Sequence, residues 1–143
     1  MDSLKIIAEY LAALSVGDSA RLNTMRTSDF EFEFVSSDGI ESGSLSLEEM
    51  KQFWPSWFAG FQENDYEVIR TVAAEDVVVT QWIFTGTHDN ELGRPIFNDP
   101  VAPTGITIMI RGVSIYDIGD GLIKRETTYF DLATTVVELG IQL

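Results

Sequence analysis

The sequence predicts an α+β fold in which a curved, mostly antiparallel sheet wraps over helices near the N-terminus. Three observations carry this. Apolar residues at helical spacing occupy the first 25 positions and one later segment. From Tyr66 onward, β-rich segments follow one another, joined by short turns except for the connection from His88 to Thr104. Finally, 143 residues make a single domain, 1–143, able to bury about two thirds of the surface its unfolded form would expose. Hairpin connections and segregated helices are the usual way such a chain buries both kinds of element.

Leu4, Ile7, Leu11 and Leu14 recur at the spacing of an amphipathic helix, with Asp2 or Ser3 as its cap and Gly17 as its stop. Asp18 caps a shorter helix through about Met25, whose apolar contacts are Ala20, Leu22 and Met25. In "DFEFEFV" the period changes to two, placing Phe30, Phe32 and Phe34 on one strand face and Glu31 and Glu33 on the other. Ser36 to Gly39 reads as a turn. Ser46 and Glu49 match a capping box, and Met50, Phe53, Trp54, Trp57, Phe58 and Phe61 continue as a helical stripe. Pro55 inside it predicts a kink or break near Phe53 and Trp54. Tyr66 to Ala73 and Val77 to Thr87 form two strands joined by "AEDV", the second richer in β-branched residues. A third runs from about Gly105 to Tyr116, and the "DIGDG" turn leads into a last strand, Leu122 to Phe130. Asp131 opens a closing helix of Leu132, Val136, Val137 and Leu139, which Gly140 ends. Between the strands, His88 to Thr104 is a long connection with three prolines, of the kind that forms a lid or rim, a dimer contact or a disordered excursion.

Composition excludes several functions. Cysteine is absent, so there are no disulfides, thiolate ligands or cysteine nucleophile, and the chain suits a reducing, cytoplasmic setting. With His88 as the only histidine, no histidine-built metal site is expected. Nine basic against 23 acidic residues, net −14, repel nucleic acid and anionic membrane surfaces alike. No apolar run approaches about 18 residues, and the start shows no signal-peptide pattern.

The succession "WIFTGTH", "PTG", "RGVSIYDIGDGLIK" and "YFDLATTVVELG" resembles the SnoaL-like polyketide cyclase group of the nuclear transport factor 2-like superfamily. The motifs cover Trp82 to Gly140, and the first half is similar in its order of elements. The resemblance implies a cone-shaped barrel with a deep apolar cavity, a homodimer formed through the outer face of the sheet, and no metal or organic cofactor. In the cyclases, the aspartate matching Asp131 is the acid and base of an intramolecular aldol-type ring closure on aromatic polyketide esters. Where they carry a pocket histidine, Gly112 to Tyr116 offers Ser114 and Tyr116.

Strand alternation puts Asp131 on the same face as Tyr129 and Thr127, at the end of a strand expected to line the cavity. There it is either a helix N-cap or a proton-handling carboxylate. His88, following Trp82, Phe84 and Gly86 on one strand face, is either an anchor of the long loop or a support for a developing oxyanion. Of the aromatics Phe34, Trp54, Trp57, Trp82, Tyr116 and Tyr129, we expect Trp54, Trp82 and Tyr129 to touch a flat hydrophobic ligand. Arg111, a charge in an apolar strand, is expected to pair with Glu126. Three functions remain open: a cofactor-independent cyclase or isomerase acting on a hydrophobic carbonyl compound, a binding or dimerisation module with the same cavity, and a limonene-type epoxide hydrolase built on Asp117, Arg111 and Asp131.

Overall fold

A computed structural model describes residues 2–35, 44–45, 47–94, 96–97, 99–131, 135 and 137–140. Helices α1 (Ser3–Ser15) and α2 (Ser19–Thr24) lead into β1 (Arg26–Val35) and the short β2 (Ser44–Leu45), then α3 (Leu47–Gly60). Four strands follow: β3 (Glu63–Ala74), β4 (Val77–Thr87), β5 (Thr107–Gly119) and β6 (Leu122–Phe130). They form one sheet of order β2-β1-β6-β5-β4-β3, antiparallel throughout except where β1 lies parallel to β6.

Local chemistry explains the helix ends. The Asp2 carboxylate accepts the Leu4 amide at 3.0 Å and Asp18 accepts that of Arg21 at 3.1 Å, each satisfying an otherwise orphaned donor. Gly17, at φ +69°, supplies the left-handed residue between the helices. The buried face of α1 is Ile6, Ile7, Tyr10, Ala13 and Leu14, rotated from the expected stripe so that Leu4 is 45% exposed and a tyrosine points into the core. Of the kink or break expected at Pro55, the break does not occur: helix α3 is continuous through it, burying Phe53, Trp54 and Trp57. The Ser46 half of its capping box lies outside the described residues, as do Ser36 to Gly39 and, in the closing segment, Leu132 and Val136.

The strands alternate. Val78, Thr80, Trp82 and Phe84 of β4, and Ile108, Ile110, Ser114, Tyr116 and Ile118 of β5, point to the helices. The "DIGDG" segment makes the expected two-residue hairpin turn, with Asp120 and Gly121 both at positive φ. Just beyond it the register slips: Asp117 opposes Arg125, whereas Ile118 opposes Ile123, so Lys124 is an extra residue in β6. A bulge of this kind reverses which residues face the core. Ile123 is buried, and after Lys124 so are Glu126, Thr128 and Phe130.

The long connection is folded back on the body. The His88 amide donates to the Ile106 carbonyl and the Gly105 amide to that of His88, extending the β4–β5 ladder, and Leu92 pairs with Val101 in an isolated antiparallel bridge. Leu92 is wholly buried against Gly60, where a Cβ would meet its Cδ2 at 2.3 Å.

Candidate functional site

Between the inner face of the sheet and the helices, Glu126 is a fully buried carboxyl in an otherwise aromatic core. Its Oε2 accepts the indole N–H of Trp54 at 3.1 Å and the hydroxyl of Thr128 at 2.8 Å, while Oε1 has no hydrogen-bond partner. Tyr116 stands directly across from it on β5. Burial raises the Glu126 pKa above the ordinary carboxylate value, and the Thr128 and Trp54 donors, the Arg26 charge and the Tyr10 hydroxyl offset part of that rise. Burial likewise raises Tyr10, Tyr66 and Tyr116, and the charge of Glu126 adds to each, so all three phenols keep their protons.

Arg26 completes the arrangement from the start of β1. Its Nε and Nη2 both donate to the Tyr10 hydroxyl oxygen, at 3.0 and 2.6 Å, and its guanidinium packs on the Phe30 ring 4.8 Å from the centroid. With both lone pairs of that oxygen engaged, the Tyr10 proton is directed away from Arg26. A phenol so oriented can donate only into the interior. Trp54 meets Trp82 edge to face at 6.2 Å between centroids, and Tyr66 lies against Trp82 at 5.5 Å. The result is a buried carboxyl hydrogen-bonded through one oxygen only, a phenol held by Arg26 and aromatic side chains around them, the kinds of group that acid–base chemistry uses.

The residues singled out from sequence are distributed otherwise. Trp54 and Trp82, expected to touch a ligand, are both buried, and the Trp54 indole donates to Glu126. Tyr129 is 45% exposed on the outer face, opposite Val113, and Asp131 is exposed just past the end of β6. The face of Thr127, Tyr129 and Asp131 is therefore not the interior one, because the bulge at Lys124 inverts the alternation. The Asp131 backbone carbonyl accepts from the Thr135 amide and hydroxyl, the first turn of the closing segment. His88 is buried at the base of the long loop, its ring 5.7 Å from that of Phe61. Nδ1 accepts the Thr104 amide at 3.2 Å, which puts the ring proton on Nε2, and burial lowers its pKa. The expected Arg111–Glu126 pair does not form, since Arg111 is exposed on the outer face and Glu126 points inward. For the same reason Arg111 and Asp117, six residues apart on β5 and both on the outer side, build no interior group with Asp131.

Sequence reasoning passed over Tyr10 and Thr128 and gave Glu126 only as the partner of Arg111. Only Tyr10 left a readable signal, at a helical position between Ile6, Ile7 and Leu14. Among the described residues no group of three or more histidine, aspartate or glutamate side chains is placed to hold a metal.

Solved structures share this architecture. AclR of Streptomyces galilaeus, a proposed hydroxylase, superposes with a TM-score of 0.77 at 21% identity, over 95% of this chain and 79% of that one. IdmH of Streptomyces antibioticus, a proposed polyketide cyclase, gives 0.76 at 23% identity, over 99% and 100%. A Catenulispora acidiphila protein of ketosteroid isomerase-like fold gives 0.68 at 12% identity, over 96% and 93%. At these identities the likeness is one of fold. No curated protein matches the chain in sequence. The model of the SnoaL-like polyketide cyclases matches residues 5–139, nearly the whole of the sheet and the helices it covers, and the chain belongs to that family.

Proposed function

We propose that the protein is a cofactor-independent acid–base enzyme of the cyclase or isomerase type, acting on a hydrophobic carbonyl compound, with Glu126 as its proton-handling group. The observation that supports this is the buried Glu126 carboxyl, held through Oε2, with no hydrogen bond at Oε1, and near enough to Tyr10 that each acts on the other's proton affinity. A proton beside a carbonyl is weakly acidic, and a carboxylate of raised pKa is better matched to remove it than an ordinary one. Tyr10, oriented by Arg26, is the donor for the enolate oxygen, and Trp54 and Trp82 are the flat apolar wall. Asp131 and His88 take supporting roles in this reading, at the head of the closing segment and at the root of the long loop. The exposed outer-face residues Val72, Met109 and Tyr129 support pairing with a second copy.

The test is deuterium exchange. Wild-type protein and Glu126→Gln are incubated in D2O with a panel of β-keto esters and polycyclic enones, and label at the carbon beside the carbonyl is followed by NMR. We expect exchange by the wild type and a loss of about 100-fold or more in the variant. Full exchange by a folded Glu126→Gln protein would sink the assignment. Binding of these compounds without exchange by the wild type would instead favour a binding module.

A further inference from the structure

Trp82, Ser114, Thr128 and Glu126 form a continuous hydrogen-bonded chain across three strands. Trp82 Nε1 lies 2.9 Å from Ser114 Oγ, Ser114 Oγ 2.8 Å from Thr128 Oγ1, and Thr128 Oγ1 2.8 Å from Glu126 Oε2. All four residues are buried, none more than 2% exposed. Ser114 and Thr128 face each other directly in the β5–β6 ladder, and the Trp82 indole reaches Ser114 by lying along Gly112.

Hydrogen-bonding capacity fixes the direction of this chain. An indole N–H only donates, and a carboxylate only accepts. Each hydroxyl between them has one proton to give, so Trp82 donates to Ser114, Ser114 to Thr128, and Thr128 to Glu126. We infer that Ser114 and Thr128 are positioning residues: with the Trp54 indole they assign Oε2 of Glu126 as the anchored acceptor and leave Oε1 as the atom that takes up and returns the proton. Calling Oε1 the reacting atom rests on the function proposed above, while the one-way chain itself does not. In the forward step, the substrate C–H bond breaks, its electron pair stays on the substrate as an enolate, and the proton bonds to Oε1. The return step places that proton on another atom of the same molecule, so nothing is consumed. Donors arranged in series polarise one another, which gives Ser114 an effect on a carboxyl it does not touch.

Groups from every surrounding element bear on the same carboxyl: Tyr10 of α1, Arg26 of β1, Trp54 of α3, Tyr66 of β3, Tyr116 of β5 and Thr128 of β6. The experiment therefore changes only the chain. Wild type, Thr128→Val, Thr128→Ser and Ser114→Ala are labelled with ¹³C at the glutamate carboxyl, and Glu126 is titrated by NMR after assignment against Glu126→Gln. Thr128→Val is expected to weaken Glu126 as an acid by about tenfold, Ser114→Ala to weaken it less, and Thr128→Ser to restore the wild-type titration. In infrared difference spectra, the protonated carboxyl should shift its C=O stretch upward in Thr128→Val, since the oxygen that loses a donor is the carbonyl one. Hydroxyls that merely fill space would lower the melting temperature and leave both readouts unmoved. An unchanged Glu126 titration in folded Ser114→Ala overturns the proposal, even if Thr128→Val does not fold. Because no readout uses turnover, these shifts can appear in a protein that fails the deuterium test, and the two claims fall separately.

Discussion

Gly112 has a role that only its missing side chain explains. A Cβ there would stand 2.1 Å from Cζ2 of Trp82 and 2.5 Å from two further atoms of the same ring, so the glycine is the floor on which the indole lies. Its neighbours across the sheet are Trp82 on β4 and Phe130 on β6. Gly112→Ala must push a buried indole out of a packed core, and overpacking of this sort costs about 1 to 3 kcal/mol. We expect that loss in denaturant unfolding, together with a change in tryptophan fluorescence as the Trp82 N–H leaves Ser114. Unchanged stability and emission would mean that the core yields at this point. That a glycine stood in this strand was plain in the sequence. That it faced inward under a tryptophan was not, because the side that is buried depends on the partner strands.

The elements show why Glu126 was read as a partner of Arg111 and not as an interior group, while most of the fold was legible. Period-two alternation placed the late strands, helical spacing placed the early helices, and "DIGDG" placed the hairpin. Strand counting then fails at one residue. Continuing in steps of two from the buried Ile123 puts Arg125, Thr127, Tyr129 and Asp131 inside, whereas the bulge at Lys124 puts Glu126, Thr128 and Phe130 there. No local signal in "GLIKRETTYF" marks the extra residue. The opposite end of the sheet is clamped by a side chain equally hard to foresee. Asp89, just after β4, accepts the amides of Gln62 and Glu63 at 2.9 and 3.2 Å, while the amides of Asp89 and Asn90 donate to the Gly60 carbonyl. It ties the long connection to the junction of α3 and β3. Asp89→Ala removes two charge-assisted bonds at an exposed site and is expected to cost about 1 to 2 kcal/mol. Hydrogen exchange should quicken at Gln62 and Glu63 first. Exchange that quickens evenly through the sheet would contradict the clamp.

At the scale of the whole molecule, two buried ionisable groups pull the pH dependence of stability in opposite directions. Glu126 has a pKa raised above 4.5 on folding. Between that value and its folded one, the native chain binds more protons than the unfolded chain, so stability falls as pH rises through the window. His88 has a pKa lowered below 6.5. Between its folded value and 6.5 the unfolded chain binds more protons, so stability rises with pH there and is lost on acidification. Protonating His88 also sets a proton on Nδ1, against the Thr104 amide that donates to it, which loosens the root of the long connection. The net charge of −14 adds a repulsive background common to all variants at neutral pH. Differences between variants isolate each group from that background. The stability of Glu126→Gln relative to wild type should climb as pH rises from 4.5 to the folded pKa of Glu126, then level off. His88→Gln should flatten the acid loss that begins at 6.5. Unfolding free energies measured by denaturant at close pH intervals would decide both, and curves for the Glu126→Gln and wild-type proteins that stay parallel would mean that Glu126 carries no buried charge for folding to oppose.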